Sequence, residues 1–493
     1  MSDSDSLVEV DDLFARELEG LFVEWQPETV PHPELVAFNN ELAAELGLDG
    51  DMIDSPEGAA LLAGNTVPAG ATPIAMAYAG HQFGGYSPRL GDGRAVLLGE
   101  LVDIEGKHHD LHLKGSGRTP FARGGDGKAT LGPMLREFIM AEAIHALGIP
   151  TTRALAVATT GEQIMREGMA PRAILTRVAS SHLRVGTFEY AVRLQDEEMI
   201  ERLADHAISR HYPAAADTDN KYLALLEAVI EVQAKLVASW MLVGFIHGVL
   251  NTDNVTISGE GIDYGPCAFM DYYDPATVFS SIDRQGRYAY GNQPSITQWN
   301  LTRLAETLIP LIDEDEEVAA KLAIEKLETY ADRFRHYWDE GMRAKLGLTS
   351  ESDEDASLFE GLLALLHANR VDYTTSFRAL SKLLRGDDAL WKSLFEDSAA
   401  YESWIQRWQD RLGVEGRDAT EAADEMDGIN PLYLPRNELV EEALTAAEAG
   451  DLDPFRALLD VVTDPFVERP GLERFAQPAS PTFDRSYQTF CGT

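Results

Sequence analysis

Residues His247 to Pro266 read HGVLNTDNVTISGEGIDYGP. In phosphoryl-transfer loops of the form H-R-D-x-x-x-x-N, the Asp two places after the His handles the acceptor hydroxyl and the Asn seven places after it binds metal. A D-F-G follows on the next hairpin. Here His247 and Asn254 keep the spacing of seven, and Asp263-Tyr264-Gly265 stands as a D-F-G with Tyr at its centre. Asn and Asp oxygens are hard ligands suited to Mg²⁺ or Mn²⁺ on a nucleotide. The place of the base, however, is taken by Val249. Asp253, beside Asn254, supports three readings: it shapes the loop by an Asx-type bond, it adds a metal ligand, or it is a relocated base.

Upstream, the other pieces such a site needs occur in order. YAGHQFGGYSPRLGDGRAVLLGELVD, residues 78–103, is Gly-rich and runs into a strand candidate at 95–102. Gly91 and Gly93 would let the backbone approach phosphate. HHDLHLKGSG gives a second strand, with apolar alternation at Leu111 and Leu113 and Lys114 at its end. A second Gly-rich loop, RGGDGKAT, precedes the helix MLREFIMAEAIHALG. On that helix either Glu137 or Glu142 would hold Lys114, and Gly148 and Pro150 would stop it. ALAVATTG and RAILTRVA read as two more strands. Beyond Gly186 the texture is helical, led by the long buried pattern NKYLALLEAVIEVQAKLVASWMLVGF. NVTIS and CAFMD are short strand candidates.

Strands with one helix, then mostly helices, predict an α+β protein-kinase-like fold of two lobes, a small sheet lobe and a large helical one. The expected divisions are an N-terminal helical extension at 1–77, which includes PELVAFNNELAAELGL, a sheet lobe at 78–190, a helical lobe at 191–415, and a C-terminal extension with its tail at 416–493.

Rival chemistries fail on spacing. A P-loop around Gly127-Lys128 would need Gly where Ala122 stands and a hydroxyl where Ala129 stands. No C-x-x-C, H-E-x-x-H or G-x-S-x-G occurs, and His108-His109 reads as a solvated strand end.

The 493 residues carry 82 acidic against 41 basic side chains, a net charge of −41, with no lysine before Lys107. A chain so acidic repels polyanions, which argues against nucleic acid as a partner. The diffuse acidity predicts a solvated surface suited to a salt-rich cytosol and a protein that needs high KCl to stay folded. MSDSDSLVEVDDLF lacks the features of a signal peptide, and the apolar runs are too short and interrupted for a bilayer, so a soluble cytoplasmic protein is expected. Two cysteines make no disulfide framework.

The segments YAGHQFGGYSPRLGDGRAVLLGE, LHLKGSGRTPFARGGDGKATLGPMLREFI, LTRVASSHLRVGTFEY and HGVLNTDNVTISGEGIDYGPCAFMDYYDPATVFSSIDRQGRYAYGNQP closely resemble the selenoprotein O family. The likeness is densest over 78–310. It implies a protein-kinase-like enzyme that adenylylates proteins, with ATP bound flipped so that the α-phosphate faces an acceptor hydroxyl of Ser, Thr or Tyr. By motif, Lys114 would pair with Glu137 and touch phosphate, Asn254 and Asp263 would hold Mg²⁺ or Mn²⁺, and Asp253 would accept the proton. Gly91, Gly93, Arg94, Asp126, Gly127 and Asp263 would line the ATP site, and Arg177 and Arg184 would grip the terminal phosphates. Family members carry selenocysteine or cysteine near the C-terminus, as Cys491 stands here. With Cys267 after Asp263-Tyr264-Gly265, this suggests a reversible Cys267–Cys491 disulfide, the plainer alternative being a buried hydrophobic Cys267. A kinase using Asp253 to direct γ-phosphate transfer, and a nucleotide-binding pseudokinase scaffold, are the competing readings.

Overall fold

The computed structural model describes residues 7–490, apart from 167, 398 and 400. Its strands are β1 (Phe22–Glu24), β2 (Glu34–Phe38), β3 (Ile74–Met76), β4 (Gly80–Gln82), β5 (Gly85–Ser87), β6 (Ala95–Val102), β7 (His108–Lys114), β8 (Ala129–Thr130), β9 (Arg153–Met165), β10 (Met169–Ala179), β11 (Phe245–Ile246) and β12 (Ala268–Phe269). The main sheet runs β1-β3-β6-β7-β10-β9-β2, with β8 on β10, and every pair is antiparallel. The β6–β7 turn closes on Asp103, whose Oδ1 accepts from the backbone of Glu105 and Lys107. The rest is helical, so the protein is α+β, with a sheet-bearing part and a larger helical part.

The period of two along β7 sorts the sheet's faces. Leu111 and Leu113 join Val96, Leu98, Ile174 and Val178 in a core that faces the N-terminal segment, where Val8, Val10, Leu42, Ile53 and Leu62 cover them. On the opposite face stand Asp110, His112 and Lys114, with Arg177 opposite His112 on β10. Helix Leu131–Ala146 lies between the sheet and the helical part and is buried on nearly every side. That is why its apolar residues do not sort onto one stripe.

The N-terminal segment is not the helical extension expected from its pattern. Glu34–Phe38, inside PELVAFNNELAAELGL, is a strand on β9, and the helix starts only after Asn39, whose Oδ1 accepts from Leu42 N. Leu35 to Phe38 reads equally as helix or strand, and the open edge of β9 settles it by pairing, a tertiary choice that local propensity does not encode. NVTIS likewise forms no strand: Thr252–Asn254 is a 3₁₀ turn, and Thr256 makes a single bridge to Arg184. CAFMD contributes only β12, paired to β11. Helix Val185–Arg193 runs across the division expected at 190.

The C-terminal extension backs the site. Helices Asn437–Glu448 and Asp453–Val462 pack on helix Leu131–Ala146, with Phe455 edge-on to Phe138 at 6.1 Å. Arg436 holds this extension down: its guanidinium, 1 % exposed as a side chain, reaches Asp271 Oδ1 at 2.5 Å and Asp372 Oδ2 at 2.8 Å, just beyond β12. Removing the cation leaves two buried carboxylates unpaired, so Arg436→Ala should cost about 3–5 kcal/mol. Thermal unfolding checks this, and a melting temperature within a degree of the parent's would contradict it.

Candidate active site

A cleft of about 300 Å³ opens between the sheet and the helical part. Gly91, Gly93, Arg94, Lys114, Asp126, Gly127, Glu137, Arg177, Arg184, Asp253, Asn254 and Asp263 all line it, as does Val249. Residues spread over 170 positions of sequence thus meet at one place. Their relative geometry follows from three supports: the β7–β10 register, the buried helix, and the loop after β11.

Lys114 Nζ stands 2.6 Å from Glu137 Oε2 and 2.6 Å from Asp263 Oδ1. Glu137 is therefore the helix partner left open by the sequence. Glu142, five residues on, faces elsewhere and binds Asn39 and Arg153. Arg177 bridges the same two carboxylates, at 3.2 Å from Glu137 Oε1 and 2.6 Å from Asp263 Oδ1. Arg184 takes the other Asp263 oxygen at 2.7 Å and donates to the Asp253 carbonyl at 2.8 Å. Burial pushes the Asp263 carboxyl up, but Lys114, Arg177 and Arg184 overcome it and hold the group well below the usual carboxylate range. Asp263 itself sits in the left-handed region at φ 63°, a conformation a non-glycine residue keeps only where its surroundings impose it. Lys114, Arg177 and Arg184 against the two carboxylates of Glu137 and Asp263 leave this cluster one positive charge in excess. In a chain of −41 that is a local inversion suited to a polyphosphate.

Asp253 is built differently. Its side chain is buried, Oδ2 accepts from Gln82 Nε2 at 3.0 Å, and Oδ1 has no hydrogen-bond partner among the described residues. A Cβ on Gly80 would come within 2.6 Å of that oxygen, so glycine at this point of β4 lets the backbone pass beside it. Burial pushes the Asp253 carboxyl up to about 6, against the pulls of Gln82 and Arg184. A buried carboxylate with one oxygen unbonded and its pKa raised towards neutrality has the properties of a general base.

The donor set fits a hard divalent cation shared with phosphate. Asn254 Nδ2 donates to the Val249 carbonyl at 2.9 Å, which leaves Oδ1 as its acceptor, and Asp263 supplies carboxylate on the same cleft. Two such oxygens completed by substrate and water suit Mg²⁺ or Mn²⁺. Among the described residues no group of three or more His, Cys, Asp and Glu offers a complete protein cage.

The remaining expected residues fall into place around this centre. Burial lowers the His247 pKa, and its Nε2 donates to the Ile262 carbonyl at 2.8 Å, which ties the start of its loop to the segment carrying Asp263. Asp126 lies at the rim, forked by Arg166 at 2.8 Å. Cys267 is buried beside the cleft and its thiol is pushed up by burial to about 12, so it is unreactive as it stands. Cys491 lies outside the described residues. Reasoning from the sequence missed three supporting groups. His112 accepts from Arg177 Nη2 at 3.2 Å and passes the interaction on to Asp92 at 3.0 Å. The alternation that placed Lys114 put His112 on the same face. Arg136, next to Glu137, donates to the Gly265 and Cys267 carbonyls at 3.2 and 2.7 Å. Tyr78 lies under Arg184 at 4.6 Å.

With this geometry in view, comparison with known proteins is informative. The family model described as protein adenylyltransferase SelO matches residues 8–463. The chain is 58 % identical over 485 residues to the protein nucleotidyltransferase YdiU of Mycobacterium sp. (strain KMS), covering 98 % of this chain and 99 % of that one. It is 57 % identical over 495 residues to the protein of the same name from Mycolicibacterium paratuberculosis, covering 99 % of each.

The raised Asp253 carboxyl has a stability consequence with a fixed sign. Its folded value lies above its unfolded one, so the protonated form stabilises the fold at low pH, and that contribution is lost as pH rises through about 6. Asp253→Asn should therefore stabilise the ligand-free protein at pH 8 by roughly 1–3 kcal/mol, with the gap closing below pH 4. Equal melting temperatures for the two proteins at pH 8 would remove the argument.

Proposed function

The chain belongs to the protein adenylyltransferase SelO family and is a nucleotidyltransferase, and we propose that it moves AMP from ATP to Ser, Thr or Tyr hydroxyls of target proteins on a protein-kinase-like scaffold, with Asp253 as base. The observation that carries this reading is the placement of Asp253. The position two after His247 is the apolar Val249, while the buried Asp253 carboxylate, whose Oδ1 has no hydrogen bond among the described residues, lines the same cleft as Lys114, Arg177 and Arg184. A triphosphate with its terminal phosphates on Arg177, Arg184 and Lys114 presents its α-phosphorus towards Asp253. Bidentate guanidinium contacts favour that orientation.

The step balances simply. The acceptor oxygen attacks the α-phosphorus, its proton passes to Asp253, the bond from the α-phosphorus to the bridging oxygen breaks, and pyrophosphate leaves held by the two arginines. A divalent ion at Asn254 and Asp263, when bound, neutralises charge on the phosphates. Before ATP arrives, Asp263 is occupied by the three cations. Phosphate oxygens compete for those cations, and the carboxylate they give up becomes available to metal, so nucleotide and metal should bind with positive coupling.

Three finer readings travel with this one. The net charge of −41 supports a requirement for high KCl, and with it a cytoplasm rich in salt. The Thr489 hydroxyl donates to the Pro266 carbonyl at 2.6 Å, next to Cys267, which supports a tail pairing through Cys491.

Parallel reactions with ATP labelled at the α- or the γ-phosphate test the main proposal. Protein should take label from the α-phosphate alone, and Asp253→Ala should lower the rate ~10²–10⁴-fold. Label from the γ-phosphate alone would make the protein a kinase. The rate with saturating ATP should also fall about tenfold per pH unit below about 6, as Asp253 takes up its proton. A flat profile between pH 5 and 8 would exclude it as the base.

A further inference from the structure

The β4–β5 hairpin, HQFGGY, lies directly against the loop of the base and carries a conformational oddity. Gln82 pairs with Gly85, so its turn has two central residues, Phe83 at φ 52° and Gly84 at φ 82°. Two positive φ values are the requirement of a type I′ turn, whose first position favours Asn, Asp or Gly. A bulky aromatic there is unfavourable, and sequence strain of this kind concentrates at functional positions.

Packing does not account for Phe83. The residue is 40 % exposed and its ring meets the edge of Tyr288 at 5.1 Å between centroids, while Tyr86 across the hairpin is 46 % exposed. Its backbone, by contrast, is fixed: Phe83 N donates to Asn251 Oδ1 and to Tyr288 Oη. Gln82 holds Asp253, and His81 N donates to Thr252 Oγ1 at 2.6 Å. The hairpin is thus anchored residue by residue to the base's own loop and presents aromatic side chains outward.

Beside it, Trp299 is flanked by two guanidinium groups, Arg287 at 4.9 Å and Arg303 at 5.0 Å. Arg303 pairs with Glu306, whereas Arg287 has no carboxylate partner among the described residues and its buried Nε is unbonded. In a chain with twice as many acids as bases, such an arginine is conspicuous. Beyond about 8 Å the field of distant carboxylates is screened, so these local charges set what binds here.

We propose that this hairpin is the docking platform for the acceptor segment of the protein substrate, and that it selects hydroxyl residues flanked by an apolar side chain and a carboxylate. The apolar neighbour packs on Phe83 and Tyr86, the carboxylate meets Arg287, and the hydroxyl falls to Asp253. The inference rests on the AMP-transfer reading and specifies its substrate.

The test uses the full-length enzyme, α-labelled ATP, and two acceptor peptides that share one hydroxyl, flanked by Leu and Glu in one and by Ala and Lys in the other. The parent should use the first at least tenfold more efficiently. Phe83→Asn, which suits the left-handed position, should melt at or above the parent temperature and keep the KM for ATP while losing tenfold or more in kcat/KM for the acidic peptide. Arg287→Glu should reverse the charge preference. A Phe83→Asn protein that melts lower and loses ATP affinity in parallel would make the hairpin merely structural. Equal use of both peptides by the parent overturns the inference and leaves AMP transfer standing. No α-label on any acceptor overturns both.

Discussion

One carboxylate organises the cleft. Asp263 is held by Lys114, Arg177 and Arg184 at once, on a backbone in the left-handed region. Three buried cations cannot share so small a space without anions between them, and Glu137 supplies the second. The fold on both sides of the cleft is built to bring these groups within reach. β7 and β10 deliver Lys114 and Arg177 in register, helix Leu131–Ala146 delivers Glu137, and the loop after β11 delivers Asp263. A ligand-free site satisfied in this way is stable yet exchangeable, because every contact Asp263 makes is one a phosphate oxygen can replace.

The support behind helix Leu131–Ala146 follows from the same constraint. A shift of that helix by an ångström or so would break Glu137 from both cations. Its outer face is therefore not left to solvent: Phe455, Val440 and their neighbours pack on it, and Arg436 holds those helices to Asp271 and Asp372. Arg136 works from the inner side, since its guanidinium grips the carbonyls of Gly265 and Cys267 and so ties the helix to the segment carrying Asp263. The C-terminal extension is in this sense part of the site, although none of its described residues lines the cleft.

What the sequence disclosed and what it hid divide along a physical line. Residues singled out on short stretches do meet at the cleft: Asn254 seven places after His247, Lys114 at the end of an alternating strand, and Gly91 and Gly93 of the Gly-rich run. The long helix Lys221–Leu242 was legible because its apolar residues recur at three- and four-residue spacing along its length. Elements decided by distant partners were not. Glu34–Phe38 becomes a strand only because β9 offers an edge, and the choice between Glu137 and Glu142 depends on the angle at which a fully buried helix lies, which its all-round hydrophobicity conceals. The Asp92–His112–Arg177 chain was hidden for a similar reason. Each residue is ordinary alone and acquires meaning only from the β7–β10 register.

The loop's departure from H-x-D-x-x-x-x-N has its own logic. Where a base and a metal ligand lie five residues apart, the loop between them sets their separation. Here they are neighbours, Asp253 and Asn254, within one 3₁₀ turn. At three residues per turn, adjacent side chains diverge by about 120°. One accordingly turns to Gln82 on the hairpin and the other to the Val249 carbonyl. If Asn254 holds the metal and Asp253 takes the proton, as proposed, the two roles are separated by a single peptide unit and the acceptor side is the side of the hairpin. A carboxylate at Val249, which lines the same cleft, would add an anion beside the Lys114–Arg177–Arg184 cluster, whose excess over Glu137 and Asp263 is a single positive charge. On the AMP-transfer proposal the valine does more than omit a base: it adds no anion to the cleft and leaves proton acceptance to Asp253, the buried carboxylate with one oxygen free of hydrogen bonds among the described residues.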